Sequence, residues 1–224
     1  MKNKDTAALE IMSELKNYNK FVQTLMKKHI RKGSVLDFGC GYGDFAKHLN
    51  DSGFKCDGVE IDKEANLEAQ KKGIKTFYSL NEIKKLYPIV VSLNVLEHIE
   101  DDIKILENLF EIIDQNGSLV LYLPASEIVW SNMDVEVGHH RRYSKKDLIQ
   151  KLHSTGFNVT HSSYKDFSGW LVLLVFRLLR IKPKFNTKLL KFYDKFIFPY
   201  VKYLDIFGAP FIGKNILIVA KVTK

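Results

Sequence analysis

The feature that most constrains the fold of this chain is a loop of spaced glycines between an apolar run and a helical pattern. The apolar run covers residues 34–38, glycines stand at positions 39, 41 and 43, and the helical pattern begins at Asp44. Glycine permits positive φ angles and lets the main chain approach a ligand closely. In a sheet of parallel strands, such a first turn lies at the carboxyl ends, where ligands bind.

The remaining pattern alternates short apolar runs with amphipathic helical segments, which indicates a parallel sheet covered by helices on both faces. We therefore predict an α/β fold with a Rossmann-like, seven-stranded, mostly parallel sheet flanked by helices and an antiparallel last strand. The predicted strands cover residues 34–38, 56–61, 74–78, 89–93, 118–123, 157–163 and 215–222. The main predicted helices of this core cover 44–50, 63–72, 101–113 and a segment capped by Ser144 that runs to His153, and a turn is predicted at Asn116 and Gly117.

Four segments follow from this pattern. Residues 1–32 form an N-terminal helical segment, with a helix predicted over 6–30, and residues 33–164 form a ligand-binding core. Residues 165–214 form an apolar and basic helical insert between strands six and seven, and residues 215–224 add the final core strand. The insert is too long for a hairpin loop and must carry helices of its own.

Cysteine content and the lack of long apolar runs indicate the cellular compartment that we expect for the protein. The two cysteines, Cys40 and Cys56, belong to no Cys/His cluster, so the sequence predicts neither a zinc site nor a disulfide framework. The N-terminal residues lack the apolar region of a secretory signal, and no run of 18 apolar residues occurs. We expect a cytoplasmic protein that binds no metal.

The net charge of +8 is concentrated in the C-terminal quarter, where residues 165–224 carry twelve Lys or Arg against three Asp. This asymmetry suggests either an anionic partner or simply a solvated basic surface. For the insert, a lid over a substrate pocket is our first expectation. Contact of residues 169–211 with a membrane surface, which would also place the protein peripherally on a membrane, is the second, and a dimer contact is a further alternative. The oligomeric state is left open.

Three carboxylates indicate what kind of ligand the glycine loop holds. Asp44 replaces the third glycine of a dinucleotide fingerprint, and it would repel a pyrophosphate at the helix start. Asp37, just before the loop, adds to that repulsion. Glu60, at the end of the second strand, can accept two hydrogen bonds from a ribose diol. We therefore expect a phosphate-free nucleoside, with positive charge favoured.

Four motifs occur in an order and at a spacing that resemble class I S-adenosylmethionine-dependent methyltransferases of the type 11/type 12 group. They are VLDFGCGYGDFAKHL at 35–49, GVEID at 58–62, LNVLEHIEDD at 93–102 and GSLVLYLPA at 117–125. The resemblance covers about residues 30–163 and the last strand. It implies S-adenosyl-L-methionine as cofactor and methyl transfer to a small-molecule or lipid-linked acceptor.

The resemblance also implies which residues bind the cofactor. These are Asp37, Gly39, Gly41 and Gly43 around the methionyl group, Glu60 at the ribose, Ile61 on the adenine, Asn81 near the adenine amino group, and Leu93 with Asn94 beside the reacting centre. Glu97 and His98 belong to a shared motif and are expected to support the pocket wall rather than catalysis.

The run 138–144, which follows the fifth strand, supplies the acceptor-side candidates and resembles a G-H-x-R-R-Y-S run in one bacterial branch of the group. His139 is a candidate base and Tyr143 can orient a hydroxyl. Arg141 and Arg142 can bind an anionic group of the acceptor. Alternatively, both arginines pair with Asp134 and Glu136 and only fix the loop.

Three rival functions remain open at this point. A cofactor-binding scaffold without chemistry would keep the same loop, although the complete set of Asp37, glycines and Glu60 argues against it. A nicotinamide-dependent oxidoreductase is disfavoured by Asp44. A nucleic-acid methyltransferase is permitted by the basic charge. However, strand four ends in Leu-Asn-Val-Leu and not in the N/D-P-P-Y run of enzymes that methylate base amines.

Overall fold

The fold is given by a computed structural model, which describes residues 13–31, 33–181, 186–208 and 211–223. Seven strands form one sheet in the order β3-β2-β1-β4-β5-β7-β6. The neighbours from β3 to β5 pair in parallel, whereas β7 is antiparallel to both β5 and β6. The predicted sheet and its antiparallel last strand are confirmed. The strand order reverses between β1 and β4, and such a switch point opens a crevice at the carboxyl ends.

The strands are β1 Ser34–Phe38, β2 Lys55–Val59, β3 Thr76–Phe77, β4 Tyr87–Leu93, β5 Ile113–Pro124, β6 Phe157–Lys165 and β7 Asn215–Val222. The helices before β6 are α1 Lys16–Lys27, α2 Asp44–Asp51, α3 Lys63–Lys71, α4 Asp102–Glu111, α5 Asn132–Glu136 and α6 Lys145–Ser154. The insert carries α7 Phe167–Leu178, α8 Thr187–Phe192, α9 Phe198–Val201 and α10 Asp205–Gly208. Short 3-10 turns cover Leu80–Glu82, Leu96–His98, Glu127–Val129 and Lys202–Leu204, and a π-helical turn covers Tyr193–Ile197.

Short polar side chains set the starts of three core helices. Asp62 accepts a hydrogen bond from the Ala65 N–H before α3, and Asp101 accepts one from the Lys104 N–H before α4. Ser144 accepts one from the Asp147 N–H at 3.1 Å, as the sequence predicted for α6. Each cap satisfies a backbone donor that the first helical turn leaves free.

The core lies on both faces of the sheet, because alternate residues of its central strands point to opposite sides. Leu36, Val90 and Leu119 belong to the cluster on one face, and Val35, Val91 and Val120 to the cluster on the other. Burial on both faces explains why these strands are apolar throughout.

Two local predictions need correction. Asn116 and Gly117 do not separate a helix from β5 as a turn; they lie inside β5, where Asn116 has a φ of 62° and the pairing with β4 shifts register. In such an irregularity the extra residues stay within the strand, although their sequence is typical of a turn. The third strand is also shorter than predicted, with only Thr76 and Phe77 paired to β2.

The N-terminal helix and the insert pack against each other. The Asp194 carboxylate accepts hydrogen bonds from the main-chain N–H groups of Asn17 and Tyr18 at the start of α1. The Tyr18 hydroxyl in turn lies 3.3 Å from the Tyr122 hydroxyl at the end of β5. Of the helix predicted over 6–30, residues 6–12 fall outside the described part of the chain. Across the described residues, no helix is both long enough and apolar enough to cross a bilayer.

Candidate active site

The loop after β1 adopts a conformation that requires glycine. Gly39, Gly41 and Gly43 have φ angles of 76°, 53° and 75°, which side chains rarely tolerate. A Cβ on Gly39 would lie 2.3 Å from a methyl carbon of Val95, in the turn after β4. The N–H groups of Gly39 and Cys40 both donate to the Val59 carbonyl, which fixes the loop against the end of β2.

Glu60 directly follows β2 and binds the same loop. Its Oε2 accepts a hydrogen bond from the Gly41 N–H at 2.8 Å, and its Oε1 accepts one from the Asp62 N–H at 2.9 Å. The residue is 9 % exposed. Because each carboxylate oxygen has two lone pairs, both oxygens can still accept hydrogen bonds from a diol.

Asp37 lies near the end of β1 and is 2 % exposed. Burial and, to a smaller extent, the charge of Glu60 together raise the pKa of its carboxyl group to about 7. A nearby positive charge stabilises the ionised form of such a buried acid, whereas a nearby phosphate destabilises it. The crevice therefore fits a cationic, phosphate-free nucleoside, which is the chemistry the sequence predicted.

The other residues predicted to bind the cofactor lie at the same carboxyl edge of the sheet. Ile61 is 81 % exposed, an unusual exposure for a large apolar side chain and one that suits a flat ring. Leu93 is the last residue of β4, and both Leu93 and Asn94 are partly buried. Asn94 has a φ of 51°, and its N–H donates to the Tyr122 carbonyl. Asn81 is exposed in the 3-10 turn after β3. The structure thus brings these predicted positions to the ends of β1 to β4.

A cavity of about 470 Å³ lies beside the glycine loop, but it is lined by a different set of residues, namely Ser13, Tyr42, Asp44, Glu64, Glu68 and Lys72. Asp44 and Lys72 form an ion pair there. None of the residues predicted to bind the cofactor lines this cavity.

The acceptor-side loop is organised around a buried carboxylate, Asp134. Its Oδ1 lies 2.8 Å from His139 Nδ1 and accepts a hydrogen bond from Arg142 Nε at 2.8 Å. Burial opposes ionisation of Asp134, but the hydrogen bond to His139 and the charge of Arg142 outweigh it and lower its pKa. Since a carboxylate only accepts, His139 Nδ1 donates to Asp134, and in the neutral tautomer with this proton the lone pair lies on Nε2.

Arg141 and Tyr143 converge on a second carboxylate, Asp102. The Tyr143 hydroxyl donates to Asp102 Oδ2 at 2.9 Å, and Arg141 and Lys151 lie 3.0 and 2.7 Å from the same oxygen. Tyr143 is buried in the core, and burial raises the pKa of its hydroxyl. The Arg141 guanidinium also donates to the carbonyls of Ile99 and Glu100.

These contacts favour the alternative in which both arginines fix the loop, although only Arg142 uses Asp134 and neither pairs with Glu136 in the described contacts. Tyr143 is engaged in the same scaffold and is poorly placed to orient a substrate hydroxyl. Of the four acceptor-side candidates, His139 keeps a nitrogen available for chemistry. The acceptor-binding roles of Arg141 and Arg142 stay predictions.

Sequence reasoning missed the link between this loop and Glu97, in the turn after β4. Glu97 is fully buried, which raises its pKa to about 8, and its Oε1 lies 3.8 Å from His139 Nε2. The rings of His98 and His139 meet edge to face at 4.8 Å. The motif itself was visible in the sequence, but its partner lies some forty residues further along the chain.

Comparison with known proteins gives consistent results. Residues 10–162 match a family model described as a methyltransferase domain. A ubiquinone biosynthesis O-methyltransferase of Rickettsia typhi is 34% identical over 101 residues, covering 41% of this chain and 41% of the relative. This chain therefore spans less than half the length of that relative.

Two solved structures resemble the fold. Phosphoethanolamine N-methyltransferase 2 of Haemonchus contortus, in complex with S-adenosyl-L-methionine, has a TM-score of 0.61 at 15% identity and covers 90% of this chain and 52% of its own. Magnesium protoporphyrin IX methyltransferase of Synechocystis, with the same compound bound, has a TM-score of 0.55 at 16% identity and covers 98% and 83%. At these identities the likeness concerns the fold.

Proposed function

The chain belongs to the methyltransferase domain family, and on that premise we propose that it transfers the methyl group of S-adenosyl-L-methionine to a small-molecule or lipid-linked acceptor. The observation that carries the proposal is the pairing of two buried carboxyl groups, Asp37 and Glu60, on either side of a loop of positive-φ glycines. That combination suits a cationic nucleoside and disfavours a dinucleotide.

The chain's own residues supply binding and orientation. Glu60 would hold the ribose hydroxyls, the loop from Gly39 to Gly43 would surround the methionyl part, and Ile61 would cover the adenine. When bound, S-adenosylmethionine supplies an electrophilic methyl group on a positively charged sulfur. The ionised Asp37 stabilises that positive charge in the crevice. Orientation of the acceptor in line with the methyl group then provides most of the acceleration.

A hydroxyl oxygen is the acceptor atom that we favour, because a relative that matches part of this chain is named as an O-methyltransferase. His139 is the acceptor-side group, since Asp134 fixes its ring and leaves Nε2 available. An imidazole nitrogen held in this way can take up a proton or coordinate a cation.

The contacts of the insert support the expectation that it forms a lid over the substrate pocket. Trp170 Nε1 donates to Ser126 Oγ at 3.1 Å, and Arg177 donates to the Ile128 carbonyl. Helix α7 thus packs on the segment that follows β5 and leads to the acceptor loop. This position favours a wall of the acceptor pocket rather than a separate module.

The outer face of the insert supports contact with a membrane surface, and with it a peripheral membrane location for an otherwise cytoplasmic protein. Many of its large apolar side chains are exposed, among them Leu171, Val175, Leu178, Leu179, Leu189, Phe192, Phe196, Tyr200, Tyr203, Ile206 and Phe211. The charged residues described between positions 169 and 211 are mostly basic: Arg177, Arg180, Lys188, Lys191, Lys195 and Lys202, against Asp194 and Asp205. Lys182 and Lys184, also expected to contribute, lie outside the described residues. Exposed apolar side chains together with basic residues in one segment suit an anionic bilayer.

The test is methyl transfer from labelled S-adenosylmethionine to three acceptor classes offered separately: water-soluble dihydroxybenzenes, dihydroxybenzenes carrying a lipid tail, and transfer RNA. We expect label in one of the first two. Transfer to the RNA alone would support the nucleic-acid alternative, and cofactor binding without transfer to any class would support the non-catalytic scaffold.

A further inference from the structure

Three metal-ligating side chains meet beside the acceptor loop. Glu97 and His98 come from the turn after β4, and His139 comes from the loop before α6. One ligand atom of each residue lies within 4.8 Å of the other two. Atoms that share a metal ion at about 2.0–2.2 Å lie roughly 3–4 Å apart, so small side-chain adjustments bring these three into range.

A second observation points independently to a cation. Glu97 is 0 % exposed, and neither of its carboxylate oxygens has a hydrogen-bond partner among the described residues. Leaving a buried polar group unpaired costs roughly 1–3 kcal/mol, and more when the group is charged. A metal ion bound to Glu97 removes that cost, whereas the nearby His139 Nε2, at 3.8 Å, is too distant to donate a hydrogen bond to it.

The surroundings of His139 match those of a metal ligand. Its Nδ1 is held by Asp134 at 2.8 Å, and Asp134 is held in turn by Arg142. Metal-binding histidines commonly donate their second ring nitrogen to a carboxylate, which fixes the ring and raises its basicity. Proton transfer by His139 alone would not explain why an unpaired carboxylate is buried on the far side of the ring.

We propose that Glu97, His98 and His139 bind one divalent transition-metal ion. Two imidazoles and one carboxylate suit Zn²⁺ and its neighbours, and three protein ligands leave a coordination position open. That position would hold an oxygen of the acceptor, a use that rests on the proposed function; metal binding itself does not. The proposal replaces the sequence-based expectation of no metal, which considered cysteine clusters and ligands close together in the sequence.

The test is titration of the chelator-treated full chain with Co²⁺, followed by displacement with Zn²⁺. We expect one equivalent of Co²⁺ with visible absorption bands, lost in His139→Ala and in Glu97→Gln. The matched control is His140→Ala, the exposed neighbour, which should bind like wild type. Asp134→Asn, which weakens the positioning of His139 and also the pairing with Arg142, should weaken binding about 10- to 100-fold.

Circular dichroism shows whether each variant is folded. If Glu97→Gln or His139→Ala does not fold, X-ray absorption of the Zn²⁺-loaded wild type decides, with two imidazoles and oxygen ligands expected. Absence of stoichiometric Co²⁺ binding, equal binding by the folded variants, or a zinc shell without imidazole would overturn the proposal. Calorimetric titration of the metal-free chain with S-adenosylmethionine separates this failure from a failure of the proposed function.

Discussion

Glu60 Oε2 accepts a hydrogen bond from the Gly41 N–H at 2.8 Å, and this contact joins the end of β2 to the glycine loop after β1. The carboxylate therefore has two tasks. It holds the loop in its positive-φ conformation, and it presents its remaining lone pairs to a ribose.

Replacing Glu60 by Ala should weaken binding of S-adenosylmethionine by about 1–3 kcal/mol, because buried hydrogen bonds lose their acceptor. Isothermal titration calorimetry measures the change. Glu64→Ala, a nearby exposed acid in the first turn of α3, is the matched control and should bind normally. Equal affinities for both variants would show that Glu60 does not contact the cofactor.

Asp37 should make the free protein less stable as the pH rises from about 4 to about 7. Its folded pKa is raised from 3.8 to about 7, so in this window the folded state holds a proton that the unfolded state has lost. The free energy of unfolding then falls with pH, by at most about 1.4 kcal/mol per pH unit from this group. In urea unfolding at several pH values, Asp37→Asn should lose this slope and be more stable than wild type at pH 8. An unchanged pH profile in the folded variant would contradict the assignment.

Arg142→Ala should lower the free energy of unfolding by about 3 kcal/mol or more, because it leaves the buried Asp134 without its cationic partner. The Arg142 and Asp134 side chains are only 7% and 1% exposed. Arg141→Ala should cost less, since that side chain is 23% exposed and Lys151 still pairs with Asp102. Should Arg142→Ala retain wild-type stability in urea unfolding yet lose acceptor affinity, the acceptor-binding role predicted from the sequence would be supported instead.

The full chain should co-sediment with phosphatidylglycerol vesicles more than with phosphatidylcholine vesicles, and less in high salt, because the insert combines basic and apolar groups. Leu178→Glu on α7 should reduce this binding, since Leu178 is 71% exposed. The control is Leu86→Glu, an exposed leucine outside the insert. Equal co-sedimentation of both variants would place the membrane contact elsewhere, and an unbound wild type would leave the insert as a lid.

Local patterns were enough to predict most of the fold. Some signals involve only a few neighbouring residues, so they predict local structure without knowledge of the tertiary fold. They are the apolar runs of β1 and β4, the glycines after β1 and the Ser144 cap. The bulge at Asn116 could not be predicted in this way, because only pairing with β4 distinguishes it from a turn.

The acceptor side depended on contacts between distant segments. Tyr143 and Arg141 were acceptor-side candidates, with fixing of the loop as the alternative for Arg141, and both bind Asp102, about forty residues earlier in the chain. Likewise, nothing near Glu97 in the sequence indicates that His139 lies beside it. Residue type shows what a side chain can do, but packing decides which partner it has.

The most direct measurement of the central claim is a calorimetric titration of the full chain with S-adenosylmethionine and, separately, with NAD. We predict binding of one equivalent of S-adenosylmethionine and no binding of NAD, because buried acids face the ligand. No binding of S-adenosylmethionine at millimolar concentration, or NAD binding in its place, would contradict the account.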